Sequence, residues 1–161
     1  KNHAFLVSVA AEAMQRNPQT RLLLVGDGPL RASVEEQLDS LGIRDRTVLA
    51  GARPDVGRML AAMDAFVFPS LWEGLPVSVV EAQAAGVPCI IEQGITEEVV
   101  VLDHLVQRRR LAEGPQAWAV AALDARRARI PAEEALPRLL ASSFNLERTP
   151  DALAEIYAVC N

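Results

Sequence analysis

The chain has 161 residues, of which half are hydrophobic, and its formal net charge is −5. This length suits one domain with a hydrophobic core; no apolar run approaches the ~20 residues that span a bilayer, and the negative charge argues against a general nucleic-acid binder. With two cysteines outside any metal-like spacing and no signal peptide at the start of the sequence, we expect a globular cytoplasmic protein.

Strand and helix patterns alternate over the first part of the chain. Hydrophobic periodicity and apolar runs predict helices over 4–16, 30–41 and 56–63 and strands over 21–25 and 46–49. Asn17-Pro18 ends the first helix, because the residue before a proline avoids helical backbone angles. A tight turn, Gly26-Asp27-Gly28-Pro29, precedes the second helix, with Pro29 at its predicted first position.

The stretch from 65 to 91 predicts a strand, a loop, a helix and a second strand. The run Ala65 to Phe68 is short and β-prone, as a strand buried on both faces would be. A loop over 69–75 leads to Pro76, at the predicted first helical position, and Gly86 closes that helix. The next predicted strand is Cys89 to Ile91.

This alternation predicts an α/β fold, a doubly wound Rossmann-like parallel sheet with helices on both faces. The sequence begins with a helix, whereas such a sheet normally begins with a strand. We therefore expect the first strand of the sheet to be missing from this chain.

Beyond Ile91 the periodic signal is weaker. We predict a short helix that begins near Thr96 and a last short strand at Leu105-Val106. Three further helices are predicted over 116–127, 132–140 and 147–159. The last of them places Leu153, Ile156 and Tyr157 on one side, an apolar face that would favour self-association if exposed. No repeat or linker interrupts the sequence, which predicts one domain over residues 1–161.

Two carboxylates mark the predicted loop and helix of the central stretch. Ligands bind outside the carboxyl ends of the strands in an open parallel sheet, and the loop that carries Glu73 lies at such an end. Glu81 follows eight positions later, on the helix, so the two carboxylates do not share a helix face. They suit an elongated polar ligand, with Ser78 and the free N–H groups of the helix start available to a negative group between them.

The central stretch resembles the E-x7-E signature of retaining GT-B glycosyltransferases, family 4 in particular. The matching residues are Glu73-Gly74-Leu75-Pro76, Glu81-Ala82 and Ala85-Gly86-Val87-Pro88. The resemblance implies the donor-binding, C-terminal half of such an enzyme, which would use a nucleoside-diphosphate sugar and transfer the sugar with retention. It implies that Glu81 binds the ribose hydroxyls, that Glu73 meets the donor sugar, and that the backbone of Gly74 and Leu75 lies near the sugar and diphosphate.

The start of the chain extends this resemblance. Lys1-Asn2-His3-Ala4-Phe5-Leu6 is similar to the family's K-N-H-x-x-L segment, which implies that Lys1 stabilises the leaving diphosphate. The Gly26 and Gly28 turn is either an ordinary tight turn or a border of the nucleotide cleft. Arg53 is either a solvated side chain or part of the base-contacting segment. Gln93 stands where many members of the family carry a glycine.

Other side chains leave two interpretations open. Trp72 either lines the donor cleft or covers the core. The arginine clusters at 108–110 and 126–129 are either solvated faces or a peripheral docking surface for an anionic membrane. With neither a D-x-D pattern nor a His/Asp cluster, we expect no metal and no cofactor besides the donor.

The resemblance places the acceptor, a glycan or a lipid-linked molecule, mainly on an N-terminal domain that these residues do not include. The isolated chain is therefore expected to bind donor nucleotide weakly and to transfer nothing. The alternative function is a catalytically silent, GT-B-like nucleotide-binding or regulatory module. A nucleotide-sugar epimerase of the same architecture is disfavoured by the Glu73 to Ala82 string.

Overall fold

A computed structural model describes residues 1–145, so the predicted helix over 147–159 and Cys160 fall outside the described residues. The helices are α1 His3–Arg16, α2 Arg31–Ser40, α3 Val56–Ala61, α4 Val77–Ala84, α5 Gly114–Ala125 and α6 Ala132–Leu140. The strands are β1 Leu22–Leu24, β2 Thr47–Leu49, β3 Phe66–Phe68, β4 Cys89–Glu92 and β5 Val106–Arg109. Single 3-10 turns are Arg44–Arg46, Glu97–Val99, Asp103–Leu105, Leu111–Glu113 and Arg126–Ala128.

All strand pairs of the described residues are parallel, and they form two sheets. β1 pairs with β2, with Leu23 opposite Val48. The second sheet has the order β3-β4-β5, with Val67 opposite Ile90 and Ile90 opposite Gln107. Helix α2 connects β1 to β2 and helix α4 connects β3 to β4, whereas β4 and β5 are connected through the 3-10 turns Glu97–Val99 and Asp103–Leu105.

The central strand β4 has helices on both of its faces. Cys89 and Ile91 pack into a cluster that includes Val79 and Ala82 of α4. Ile90 points the other way and packs against Val9 of α1 and Trp118 of α5. Since successive side chains of a strand alternate between faces, this arrangement confirms the doubly wound α/β class.

Helix α1 joins the two sheets. Its residues Val7, Ala10 and Met14 pack with α2 and against the β1-β2 sheet. Val9 and Ala13 of the same helix pack with Ile90 and Trp118 on the three-stranded side. One amphipathic helix therefore contributes to the hydrophobic cores of both halves.

Several element boundaries differ from the sequence-based expectation. Helix α2 begins at Arg31 and not at Pro29, because residues 28–31 form a turn in which the Arg31 N–H donates to the Gly28 carbonyl at 3.1 Å. Pro76 is the N-cap of α4 and Val77 its first residue. The last strand, β5, covers Val106–Arg109, while Leu105 belongs to a 3-10 turn. These polar residues form a strand because they pair with β4. Their sequence lacks the apolar run by which a strand is predicted.

The short helix predicted near Thr96 is present as the 3-10 turn Glu97–Val99, and the Thr96 hydroxyl accepts the Glu98 N–H at 3.4 Å. Within residues 1–145, no helix is long and apolar enough to cross a bilayer.

Candidate functional site

A cleft of about 970 Å³ opens at the carboxyl ends of β1 and β3, where residues from four segments meet. Lys1 comes from the segment before α1, Gly26 from the turn after β1, and Arg53 from the loop after β2. Ser78 and Glu81 come from α4, after β3. Five residues singled out from the sequence are thus brought to one cleft, and Glu73 contacts Lys1 at its edge.

Glu73 is held by two hydrogen bonds to the same carboxylate oxygen. The Lys1 ammonium donates to Oε1 at 2.6 Å, and the Ser70 hydroxyl donates to it at 2.6 Å. The Glu73 side chain is only 14 % exposed, whereas that of Lys1 is 54 % exposed. Partial burial opposes ionisation of Glu73, but the hydrogen bonds from Lys1 and Ser70 outweigh it and hold the pKa of the carboxyl below its ordinary value.

Lys1 is positioned by a second contact. Its ammonium lies 5.1 Å from the ring centroid of Phe68, the last residue of β3. An ammonium within ~6 Å of an aromatic ring is attracted to its face. Because an ammonium has three donors, Lys1 retains donors for a further anionic partner while it binds Glu73.

The starts of α1 and α4 lie beside this pair. Neither helix has a side-chain cap or an acidic residue in its first turn. The N-cap of α4 is Pro76, whose side chain accepts no hydrogen bond. Uncapped N–H groups and the helix dipole give these ends partial positive charge, which favours an anion. Glu81 is exposed, one turn further along α4.

Arg53 forms a two-point ion pair. Its Nε and Nη2 atoms donate to the two carboxylate oxygens of Asp55 at 2.8 and 3.0 Å. The hydrogen bond to Asp55 raises the pKa of Arg53, and the hydrogen bond from Arg53 lowers the pKa of Asp55. Arg53 therefore lines the cleft as half of a neutral pair, with its orientation fixed by Asp55.

Three of the predicted donor-binding residues do not line the cleft of the described chain, namely Gly28, Gly74 and Leu75. The Gly28 N–H donates to the Asp27 carboxylate at 2.9 Å, so its hydrogen bond is made within the turn itself. Gly26 lines the cleft with φ +126, a conformation that glycine adopts readily. Its N–H donates to the Gly51 carbonyl at 2.8 Å, which ties the loops after β1 and β2 together.

The structure decides several interpretations that the sequence left open. Trp72 is 89 % exposed, so the interpretation as a core residue is wrong, and it does not line the described cleft. Arg108 is not a solvated side chain, because it donates to the carbonyls of Gln93, Ile95 and Thr96. Gln93 also accepts from Arg110 at 2.9 Å and does not line the cleft.

Sequence reasoning missed three residues that build the site. Ser70 is 1 % exposed and orients Glu73, Asp55 orients Arg53, and Phe68 supports Lys1. Of these three residues, Asp55 alone could have been suspected from the sequence, because an aspartate two residues from Arg53 is within reach of an ion pair. Within the described part of the chain, no group of three or more His, Cys, Asp or Glu side chains is placed to hold a metal ion.

Comparison with known proteins identifies the family of this chain. A family model described as Glycosyl transferases group 1 matches residues 1–125. EpsF of Bacillus subtilis (strain 168), provisionally named a glycosyltransferase, is 38 % identical over 160 residues, covering 99 % of this chain and 42 % of EpsF. UDP-Gal:alpha-D-GlcNAc-diphosphoundecaprenol alpha-1,3-galactosyltransferase of Escherichia coli is 36 % identical over 94 residues, covering 56 % of this chain and 24 % of that enzyme.

The fold is shared with solved structures. Anabaena HepE in complex with UDP superposes with a TM-score of 0.77 at 21 % identity, over 94 % of this chain and 44 % of HepE. The chain thus spans less than half the length of these relatives. The match to the family model over more than three quarters of the sequence makes this chain a member of the glycosyl transferases group 1 family.

Proposed function

We propose that residues 1–161 are the donor-binding domain of a retaining glycosyltransferase, which binds a nucleoside-diphosphate sugar in the cleft at the carboxyl ends of β1 and β3. The observation that carries the proposal is the convergence of Lys1, Ser78 and Glu81 on that cleft, with Glu73 bound to Lys1 at its edge. Cationic donors and two separated carboxylates match a ligand that has an anionic centre and polar ends.

Each end of the donor has a proposed partner. Glu81 accepts from two adjacent ribose hydroxyls, because a carboxylate has two acceptor oxygens. Ser78, the N–H groups that begin α4, and Lys1 bind the diphosphate between the two ends. Glu73 accepts from hydroxyls of the donor sugar, near the backbone of Gly74 and Leu75. Gly26 and Arg53, which line the cleft, border the nucleotide.

In the proposed reaction, Lys1 stabilises the leaving diphosphate and also binds Glu73. The leaving diphosphate gains negative charge as the glycosidic bond breaks, and a fixed ammonium stabilises that charge. Glu73 is kept ionised and in one orientation by Lys1 and Ser70. Retention at the anomeric carbon is inferred from the resemblance of residues 73–88 to the retaining class, and no metal forms part of the proposal.

The acceptor belongs to the longer protein in this proposal. Because the chain spans 42 % of EpsF, we propose that a glycan or lipid-linked acceptor is bound mainly outside these residues. The isolated chain should bind nucleotide weakly and transfer no sugar. Sugar transfer by the isolated chain would contradict the proposal that the acceptor is bound mainly outside these residues. Of the two arginine clusters, we keep the proposal of a contact with an anionic membrane only for 126–129, because Arg108 of the other cluster binds backbone carbonyls.

Calorimetric titration in the presence of EDTA tests the site. UDP, GDP, ADP and their common sugar conjugates are titrated into the chain, beginning with UDP because HepE was solved with it. We expect one diphosphate to bind and Glu81→Ala to weaken it at least about tenfold, equivalent to one charge-assisted hydrogen bond. Glu36→Ala, an exposed glutamate on α2, is the matched control and should change nothing.

Two outcomes would contradict the proposal. Equal affinity for Glu81→Ala and the parent chain would favour a module with a different nucleotide site. A folded chain that binds none of the diphosphates would favour a catalytically silent member of the fold.

A further inference from the structure

Ser70 lies in the loop over 69–75, between strand β3 and Glu73. Its side chain is 1 % exposed. Its hydroxyl donates to Oε1 of Glu73 at 2.6 Å and has no other hydrogen-bond partner within residues 1–145. Because a buried hydroxyl needs a partner and Ser70 has only this one, the bond ties Glu73 to the end of β3.

Few other contacts fix this loop. In the described part of the chain, no backbone–backbone hydrogen bond involves residues 69–75. The side-chain hydrogen bonds that reach the loop both end on Glu73, one from Ser70 inside the loop and one from Lys1 outside it. Ser70 is buried, whereas the side chain of Lys1 is 54 % exposed. The buried anchor of Glu73 is therefore Ser70.

The two carboxylate oxygens of Glu73 have different surroundings. Oε1 accepts from both Lys1 and Ser70, and since a carboxylate oxygen has two lone pairs, its acceptor capacity is used. Oε2 accepts from no group of residues 1–145, and it is not among their buried atoms that lack a partner, so solvent reaches it. Oε2 is the oxygen that remains available to a ligand.

A ligand in the cleft would affect the two hydrogen bonds to Oε1 differently. In the proposed function the diphosphate binds the Lys1 ammonium, which is exposed and lines the cleft. Ser70 is buried and does not line the cleft of the described chain, so the ligand does not compete for its hydroxyl. Ser70 is thus the donor that keeps Oε1 in place while a sugar nucleotide is bound.

We propose that Ser70 is a positioning residue that holds Oε1 of Glu73 so that only Oε2 meets the donor sugar, and that it thereby raises the affinity for the sugar nucleotide over that for the free nucleoside diphosphate. This role rests on the proposed donor site. A glutamate side chain loses much rotational freedom when a ligand orders it, and a carboxylate that is already oriented avoids this cost. Since Ser70 contacts no nucleotide, its contribution is confined to the sugar.

Calorimetric titration of residues 1–161 and four variants tests this role. The probes are the nucleoside diphosphate that binds among UDP, GDP and ADP and its common hexose conjugates. The measured quantity is the affinity ratio, which is the Kd of the free diphosphate divided by the Kd of its tightest conjugate. The variants are Ser70→Ala, Glu73→Ala, the combination of both, and Ser33→Ala at an exposed position of α2 as the matched control.

We expect Ser70→Ala to lower the affinity ratio about three- to tenfold, the range of one hydrogen bond, while the Kd of the free diphosphate stays within about twofold. Glu73→Ala should lower the ratio to about one, and Ser70→Ala should have no further effect in that background, because a positioning residue acts only through the residue that it positions. Ser33→Ala should change neither constant.

Any of four results would overturn the role of Ser70. An unchanged ratio in Ser70→Ala would mean that Glu73 keeps its position without the hydroxyl. Equal weakening of the diphosphate and its conjugates would mean that Ser70 supports the cleft as a whole. A further loss in the Glu73→Ala background would mean that Ser70 acts through another group. Conjugates that bind the parent chain no more tightly than the diphosphate would leave no sugar contact for Ser70 to support.

Failure of the proposed function gives a different result. A folded chain that binds none of the three diphosphates would contradict the donor site itself, and the role of Ser70 would fall with it.

Discussion

Burial and ion pairing have opposite effects on the pKa of Glu73 in the candidate site. Its side chain is largely shielded, yet its pKa lies below the ordinary 4.5 because Lys1 and Ser70 donate to the carboxylate. A lowered pKa in the folded state means that the folded protein binds the proton less readily than the unfolded chain. The ion pair therefore stabilises the fold only while Glu73 is ionised.

This coupling predicts a pH-dependent effect of Glu73→Gln. The free energy of unfolding should fall by about 1 kcal/mol or less at neutral pH, because Lys1 is half exposed to solvent. The difference should be complete above pH 4.5 and disappear as the pH falls through the lowered pKa. Urea denaturation between pH 7 and 3 measures it, with Glu36→Gln on α2 as the control. A difference that grows towards low pH would refute the ion-pair account.

Helix α4 is the element that connects the site to the rest of the core. Gln83, two residues after Glu81, is fully buried and binds four backbone groups. Its amide nitrogen donates to the carbonyls of Val79 at 3.1 Å and Val99 at 2.7 Å. Its oxygen accepts from Val101 and Leu102, each at 2.9 Å. Gln83 thus fixes the segment after β4 onto the helix that carries Glu81.

Replacement of Gln83 by leucine should destabilise the fold strongly. It leaves the Val99, Val101 and Leu102 backbone groups without their partner, and each buried group without a partner costs about 1–3 kcal/mol. We expect a loss of about 3 kcal/mol or more in urea denaturation. Gln107→Leu, at an exposed position of β5, is the matched control and should stay within about 0.5 kcal/mol. Equal effects of the two substitutions would contradict the role of Gln83.

The end of α4 gives a second prediction at this scale. Gly86 has φ +71, and a Cβ there would overlap the carbonyl oxygen of Ile130. Gly42, at the end of α2, has φ +64 but nothing within 4 Å of such a Cβ. Gly42→Ala should therefore cost about 1–2 kcal/mol from backbone strain alone. Gly86→Ala should cost about 2 kcal/mol more, because overpacking is added. Thermal or urea unfolding of both variants tests the difference. Equal losses of stability would show that the Ile130 backbone moves to make room for the Cβ.

The whole molecule consists of two sheets that share α1. Val7 is fully buried in the cluster on the β1-β2 side, and Trp118 is fully buried in the cluster on the other side. Since α1 contributes to both clusters, we expect the two halves to unfold together. Trp72, at 89 % exposure, can be removed so that fluorescence reports on Trp118 alone.

The test is Val7→Ala in a Trp72→Phe background. Truncation of a buried aliphatic side chain should cost about 2 kcal/mol. The midpoint should shift equally in Trp118 fluorescence and in far-UV circular dichroism, although Val7 and Trp118 lie in different clusters. If Trp118 fluorescence keeps its midpoint while the dichroism midpoint falls, the halves unfold independently.

Local signals in the sequence were enough for the element order and for most of the site. Apolar periodicity predicted α1 and α6 to within a residue or two, and the run 65–68 predicted β3, because these patterns arise from burial on fixed faces. Arg53 in the loop after β2 and Glu73 in the loop after β3 were predicted at the carboxyl ends of strands, where parallel topology places ligand sites. Polar β5 was predicted poorly, since an edge strand needs little apolar surface.

The sequence by itself determined the α/β class and the residues that meet at the cleft, because hydrophobic period, turn glycines and strand-end positions are local properties of the chain. Only the tertiary structure decided that Ser70 orients Glu73, that Arg53 is neutralised by Asp55, and that the strands divide into two sheets. Contacts such as Lys1 with Glu73 join residues far apart in the chain. Their distances depend on how whole elements pack, which no local pattern encodes.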